Sequence, residues 1–149
     1  MKRINYLLFI GALLLCNLIT GCKTTRTEWL NHGEWVYHNE SAHEVEITGV
    51  ETVLYAGNDT FTVLPGETYV VEVRSEGPYD LPAESMPFPL ENATIDRCTI
   101  TIDGAVTIKL EPDKGICDRN QYKVEKLERA HYRFTYIITD ELIENLLAI

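Results

Sequence analysis

Basic residues are scarce in this chain. Lys and Arg number 13 against 23 Asp and Glu, a formal net charge of −10. Recognition of a phosphate backbone needs clustered cations, so nucleic acid is not an expected partner. No polybasic patch is present to hold the chain on an anionic membrane surface. Long apolar runs are also scarce. The one that exists, from Tyr6 to Ile19, contains Asn17 and is shorter than the roughly 20 residues of a spanning helix. There is no glycine-rich phosphate loop. Ser41, Ser75 and Ser85 lack the context of a nucleophile elbow. Acidic pairs such as Glu44 and Glu46 share one strand face and read as solvated, whereas glycoside hydrolysis needs carboxyls opposed across a cleft. Internal repeats and low-complexity segments are missing. These absences leave no expected enzyme activity and no expected cofactor.

What is present begins with Met1-Lys2-Arg3, a basic start that leads into the apolar run. This is the pattern of a secretory signal. Thr20 and Gly21 are small and stand directly before Cys22. The stretch Leu18-Ile19-Thr20-Gly21-Cys22 resembles a bacterial lipobox, with Ile19 where leucine is usual. Cys16 is a poor rival, because bulky Leu15 precedes it. The resemblance implies a diacylglyceryl thioether and an N-acyl chain on Cys22, and more than one chain suffices for stable anchoring. The expected division is therefore a signal over residues 1–21, a lipidated cysteine and tether over 22–33, and one domain over 34–149, large enough for its own core. Removal of Lys2 and Arg3 with the signal takes the net charge from −10 to −12. Lys23 to Thr27 is polar and spans less than about 20 Å when extended, so the domain should lie close to the membrane. No acidic run follows Cys22, which leaves the periplasmic face of an outer membrane and the cell surface both open.

From Trp35 the hydrophobic period is two, the signature of half-buried strands. Trp35–Asn39 and His43–Ile47 read as strands around a turn at Glu40-Ser41-Ala42. Thr52–Tyr55 and Phe61–Leu64 follow, and Pro65-Gly66 is a turn pair leading to a return strand, Thr68–Val73. Four prolines between Gly77 and Asn92 break the pattern. Tyr79, Met86 and Phe88 are candidate packing points there. Cys98–Ile102 and Val106–Leu110 flank Asp103-Gly104; a three-residue loop with Gly104 left-handed is expected, pairing Ile100 with Val106 and Cys98 with Ile108. Tyr122–Glu125 is a short strand. In His131–Thr139, Tyr132, Phe134, Tyr136 and Ile138 share a face. Thr139 or Asp140 can cap a final helix with Leu142, Ile143, Leu146 and Leu147 as its apolar stripe. The expected fold is mainly β, an antiparallel β-sandwich of immunoglobulin-like type with a short C-terminal helix.

Few residues offer chemistry. With Cys16 removed and Cys22 lipidated, Cys98 and Cys117 remain; they form either a disulfide, favoured in an extracytoplasmic compartment, or a buried thiol and an exposed one. His38 and His43, with Glu40 and Glu44 nearby, carry metal-ligand chemistry, but their spacing fits no ligand motif and no metal centre is expected. His32 and His131 read as isolated. Trp35, Tyr37 and Tyr79, if exposed, could stack on the apolar faces of a sugar; core packing is the competing account of the first two.

The chain resembles a group of small Bacteroides-type lipoproteins of unknown function. The resemblance rests on the lipobox at Cys22, Trp35–Ile47, Leu64–Tyr69, Ile116–Tyr122 and His131–Glu141, stretches that span most of the chain after Cys22. It implies a lipid-anchored envelope protein and carries no catalytic residues. The expected function is a non-enzymatic interaction or structural domain, held at the membrane through Cys22 and facing an unidentified envelope protein. The alternative is a glycan-binding lipoprotein.

Overall fold

The computed structural model describes residues 29–52, 55–77, 80–90 and 98–148. Among the described residues eight strands occur in chain order: β1 (Trp29–Asn39), β2 (Val45–Thr52), β3 (Tyr55–Val63), β4 (Thr68–Gly77), β5 (Thr99–Ile102), β6 (Val106–Lys109), β7 (Lys123–Glu128) and β8 (His131–Ile138); a helix, α1 (Asp140–Leu147), follows β8. They form two four-stranded sheets, ordered β4-β1-β8-β7 and β3-β2-β5-β6. All pairings are antiparallel except β1 with β8. The expected sandwich is thus present. An immunoglobulin constant domain groups its first, second, fifth and fourth strands in one sheet, whereas here β1 shares a sheet with β4, β8 and β7.

Alternation builds the interior. Trp35 and Tyr37 of β1, Val71 and Val73 of β4, and Tyr132, Phe134, Tyr136 and Ile138 of β8 face Val45, Ile47, Phe61, Val63, Ile100 and Ile102 of the second sheet, all buried. Met86, Phe88 and Leu90, from the proline-rich segment, join the same buried cluster. Trp35 lies at the centre, stacked on Phe134 with ring centroids 4.0 Å apart and flanked by Phe88 at 4.8 Å and Tyr122 at 5.3 Å.

Three expectations need correction. The domain begins earlier than residue 34, because Trp29–Gly33 belong to β1 and pair with Val73–Gly77. Residues 40–44 and 64–67 are not hairpin turns within a sheet; each carries the chain from one sheet to the other, so β2 does not pair with β1, nor β4 with β3. The cause is Asn39, fully buried at the end of β1. Its Nδ2 donates to the carbonyls of His43 and Val63, each at 2.8 Å. Its Oδ1 accepts from Ser41 N and Oγ at 3.0 and 2.7 Å. Its backbone exchanges hydrogen bonds with Gly66 and Glu67. One side chain thereby ties both crossings together. Finally, the β5–β6 loop does have three residues, Asp103 to Ala105, with Asp103 and Gly104 both left-handed. Three loop residues place Ile102 opposite Val106 and Ile100 opposite Ile108, two positions from the expected pairing but with the apolar stripes still matched.

The Pro65-Gly66 turn is closed by Glu67 N donating to Leu64 O at 2.9 Å, with Gly66 at φ +79°, as a glycine at the third position permits. Thr139 caps α1 through its Oγ1 on Leu142 N. Ile143 docks the helix in the core, and Asp140 Oδ1 accepts from Ala42 N at 2.7 Å, joining the helix to the first crossing.

Candidate functional site

The densest group of chemistry-bearing side chains lies on the outer face of the β4-β1-β8-β7 sheet. Period two puts His32 and Glu34 on one face of β1. Register sets His131 and Arg133 of β8 opposite them on one side and Arg74 and Glu72 of β4 on the other. His131 Nε2 is 2.8 Å from Glu34 Oε1. Arg133 donates to Glu34 Oε2 from Nε at 2.8 Å and from Nη2 at 2.7 Å. The His32 ring stacks on His131, with centroids 4.3 Å apart and planes 12° from parallel. Arg74 Nη2 holds Glu72 Oε2 at 2.7 Å, and that oxygen stands 3.7 Å from His32 Nε2.

The cluster is half-buried, and this sets its charge states. Burial, followed by the neighbouring His131, lowers the His32 pKa, so this imidazole stays neutral at neutral pH. Burial pushes Glu34 up, but the hydrogen bonds from Arg133 and His131 outweigh it and hold the carboxyl below the usual glutamate range. His32 Nε2 is itself buried and has no hydrogen-bond partner among the described residues. Two imidazoles and a carboxylate, whose ligand atoms lie within 4.8 Å of one another, are donors of the kind that bind zinc-class cations.

The residues singled out from sequence fare differently. His38 and His43 are not brought together: His38 Nδ1 bonds Thr68 Oγ1 at 2.8 Å, whereas His43 Nδ1 bonds Asp103 Oδ2 at 2.7 Å. The crossing at 40–44 separates them by sending the chain to the second sheet. Trp35 and Tyr37 have no exposed surface, so neither offers a platform to a sugar; their β1 positions point inward. Tyr79 and Cys22 lie outside the described residues. Cys98 and Cys117 are both buried, with sulfurs 3.8 Å apart. The hydrogen bond with Cys117, together with burial, pushes the Cys98 thiol up, which disfavours a nucleophilic thiolate. Burial also raises Tyr37 and Tyr122, and Tyr136 to about 12, so these hydroxyls keep their protons at neutral pH.

From the sequence His32 and His131 read as isolated and Glu34 is not singled out, because 97 positions separate Glu34 from His131. The available signal was the His-x-Glu spacing at 32–34, which places both side chains on one strand face once β1 is known to start at Trp29. A concavity of about 200 Å³ lies between β5–β6 and α1, lined by Ile100, Ile108, Leu110, Ile116, Ile138 and Leu146 among others. Its walls are mainly apolar, with Lys109, Glu111 and Lys114 also lining it. Among the described residues no helix is long and apolar enough to cross a membrane. Comparison with family models, curated proteins and solved structures returned no match.

Proposed function

We propose that this chain is a lipid-anchored domain of the bacterial cell envelope, at the outer membrane, that acts by binding and not by catalysis. The observation that carries the reading is the N-terminal sequence: a basic start, one short apolar run, and Ile19-Thr20-Gly21-Cys22. The resemblance to small Bacteroides-type lipoproteins supports it. Six residues, Lys23 to Glu28, separate Cys22 from the first residue of β1, a reach of about 20 Å when extended. A domain on so short a leash meets envelope components first. The glycan alternative has lost Trp35 and Tyr37 to the core and has no observation in its favour.

The test is made on the full chain expressed in a bacterium with lipoprotein machinery. The mature N-terminal peptide should begin at Cys22 and carry the mass of a diacylglyceryl group and an acyl chain, and the protein should fractionate with membranes. Cys22→Ala should abolish both the modification and the membrane association. A processed, membrane-held C22A protein would remove the basis of the reading.

The same compartment favours a Cys98–Cys117 bond. The two sulfurs already stand 3.8 Å apart, and a bond would bring them to about 2.05 Å. The bond would close a loop of about 20 residues, worth roughly 3 kcal/mol in the chain-entropy model. Reductant should therefore lower the urea midpoint of protein isolated from the envelope and raise its intact mass by two hydrogens. Two free thiols in the isolated, unreduced protein would refute the bond.

A further inference from the structure

We propose that His32, Glu34 and His131 form a binding site for one zinc-class divalent cation, with Glu72 placed to supply a fourth ligand. The site stands on geometry independent of the N-terminal anchor.

The donor atoms lie within 4.8 Å of one another. Ligands about 2.0–2.2 Å from zinc stand roughly 3.4 Å apart in a tetrahedron. Binding requires the two rings, stacked 4.3 Å apart and 12° from parallel, to turn out of their stack so that each nitrogen faces the ion, while the strands stay in register. His32 and His131 are direct neighbours across the parallel β1–β8 pair, so the sheet fixes their spacing. Glu34 is held from behind: Arg133 occupies Oε2 and leaves Oε1 turned toward His131 Nε2. Glu72 differs: Arg74 holds it through Oε2, the oxygen that stands 3.7 Å from His32 Nε2, so it would coordinate by sharing that oxygen or by turning Oε1 inward. Carboxylate ligands so oriented by a second partner are the usual construction of a metal site. The two guanidinium charges are matched by the two carboxylates, and the acidic chain as a whole attracts cations.

A purely structural reading, in which the group is only an ion-pair network, leaves one fact unexplained. It stacks two imidazoles face to face and leaves His32 Nε2, a buried atom, with no hydrogen-bond partner among the described residues, its nearest carboxylate oxygen being Glu72 Oε2 at 3.7 Å. Buried polar atoms ordinarily find a partner. A cation among the three side chains gives this nitrogen one. It also replaces the hydrogen bond between His131 Nε2 and Glu34 Oε1.

The experiment uses the full chain in detergent, carrying no histidine tag and stripped of metal by chelator. Zinc chloride is titrated in competition with a chromogenic chelator. One equivalent should bind, and His32→Ala, His131→Ala and Glu34→Gln should each weaken it by about 100-fold, at or beyond the upper end of what loss of an outer-shell partner costs. His38→Ala and His43→Ala should leave it within about twofold. Cobalt in place of zinc should give the visible absorption of a four-coordinate nitrogen and oxygen site. Should the His131 variant fail to fold, ring nitrogen resonances of the unaltered protein decide: zinc should shift His32 Nε2 and His131 Nε2 together. Absence of saturable binding, binding that survives His32→Ala, or zinc shifts confined to His38 and His43 would each overturn the proposal.

Discussion

Replacing Asn39 with leucine should lower the unfolding free energy by about 4 kcal/mol and the melting temperature by roughly 15 °C. The side chain is completely buried and makes four hydrogen bonds, to His43 O, Val63 O, Ser41 N and Ser41 Oγ. Leucine is nearly isosteric, so the loss is not one of volume. It leaves backbone groups at both inter-sheet crossings without this partner, each a buried group costing about 1–3 kcal/mol when unsatisfied. For a domain of this size 1 kcal/mol corresponds to about 3–5 °C. Asn39→Asp should be at least as damaging, because it keeps the acceptor for Ser41 but points a carboxylate at two carbonyl oxygens and buries a charge. Ser41→Ala removes only the hydroxyl and should cost about 1 kcal/mol. Urea denaturation of the three variants checks the order. A cost below 1 kcal/mol for leucine would mean that the crossings do not depend on Asn39.

This dependence explains what could be read from the sequence and what could not. The β8 stripe of Tyr132, Phe134, Tyr136 and Ile138, the Pro65-Gly66 turn and the Thr139 cap were legible because each rests on neighbours in the chain. The partners of β2 and β4 were not. Turn residues specify that the chain reverses but not which sheet receives it, and at both crossings that choice is made by Asn39. The start of β1 was hidden for a related reason. Its inward positions before Trp35 are Asn31 and Gly33, so the apolar stripe is missing. Asn31 accepts from Leu81 N at 2.8 Å and so ties down the segment after β4. At Gly33 a Cβ would stand 3.3 Å from both Met86 Cε and Trp35 Nε1, which is tighter than ordinary contact. Polar and small residues there serve packing from outside the strand. With β1 begun too late, His32 and Glu34 fell outside it. The parallel pairing that brings His131 to them is a long-range property of the fold, and no local pattern announces it.

Trp35→Ala should destabilise the domain by about 4 kcal/mol, whereas Trp35→Phe should cost about 1 kcal/mol. The indole has no exposed surface and touches Phe134, Phe88 and Tyr122, with the Arg119 guanidinium 5.4 Å from its ring centroid. Truncation to alanine removes one wall from each of these contacts. It also opens a cavity between sheets that cannot collapse without shifting β1, which is held on both sides by β4 and β8. Costs of about 3–5 kcal/mol are typical for such a deletion. Phenylalanine keeps an aromatic face against Phe134 and loses part of the buried area. It also eliminates the indole N–H, which is buried without a hydrogen-bond partner among the described residues and carries an unmet desolvation cost of about 1–3 kcal/mol. The two effects oppose, hence the small net change. Equilibrium unfolding of both variants separates the roles this residue can have. A surface platform for sugar would show alanine and phenylalanine alike within about 0.5 kcal/mol of the parent. A central core ring shows a large loss for alanine and a much smaller one for phenylalanine. A small loss for alanine would return Trp35 to the surface and the glycan reading with it.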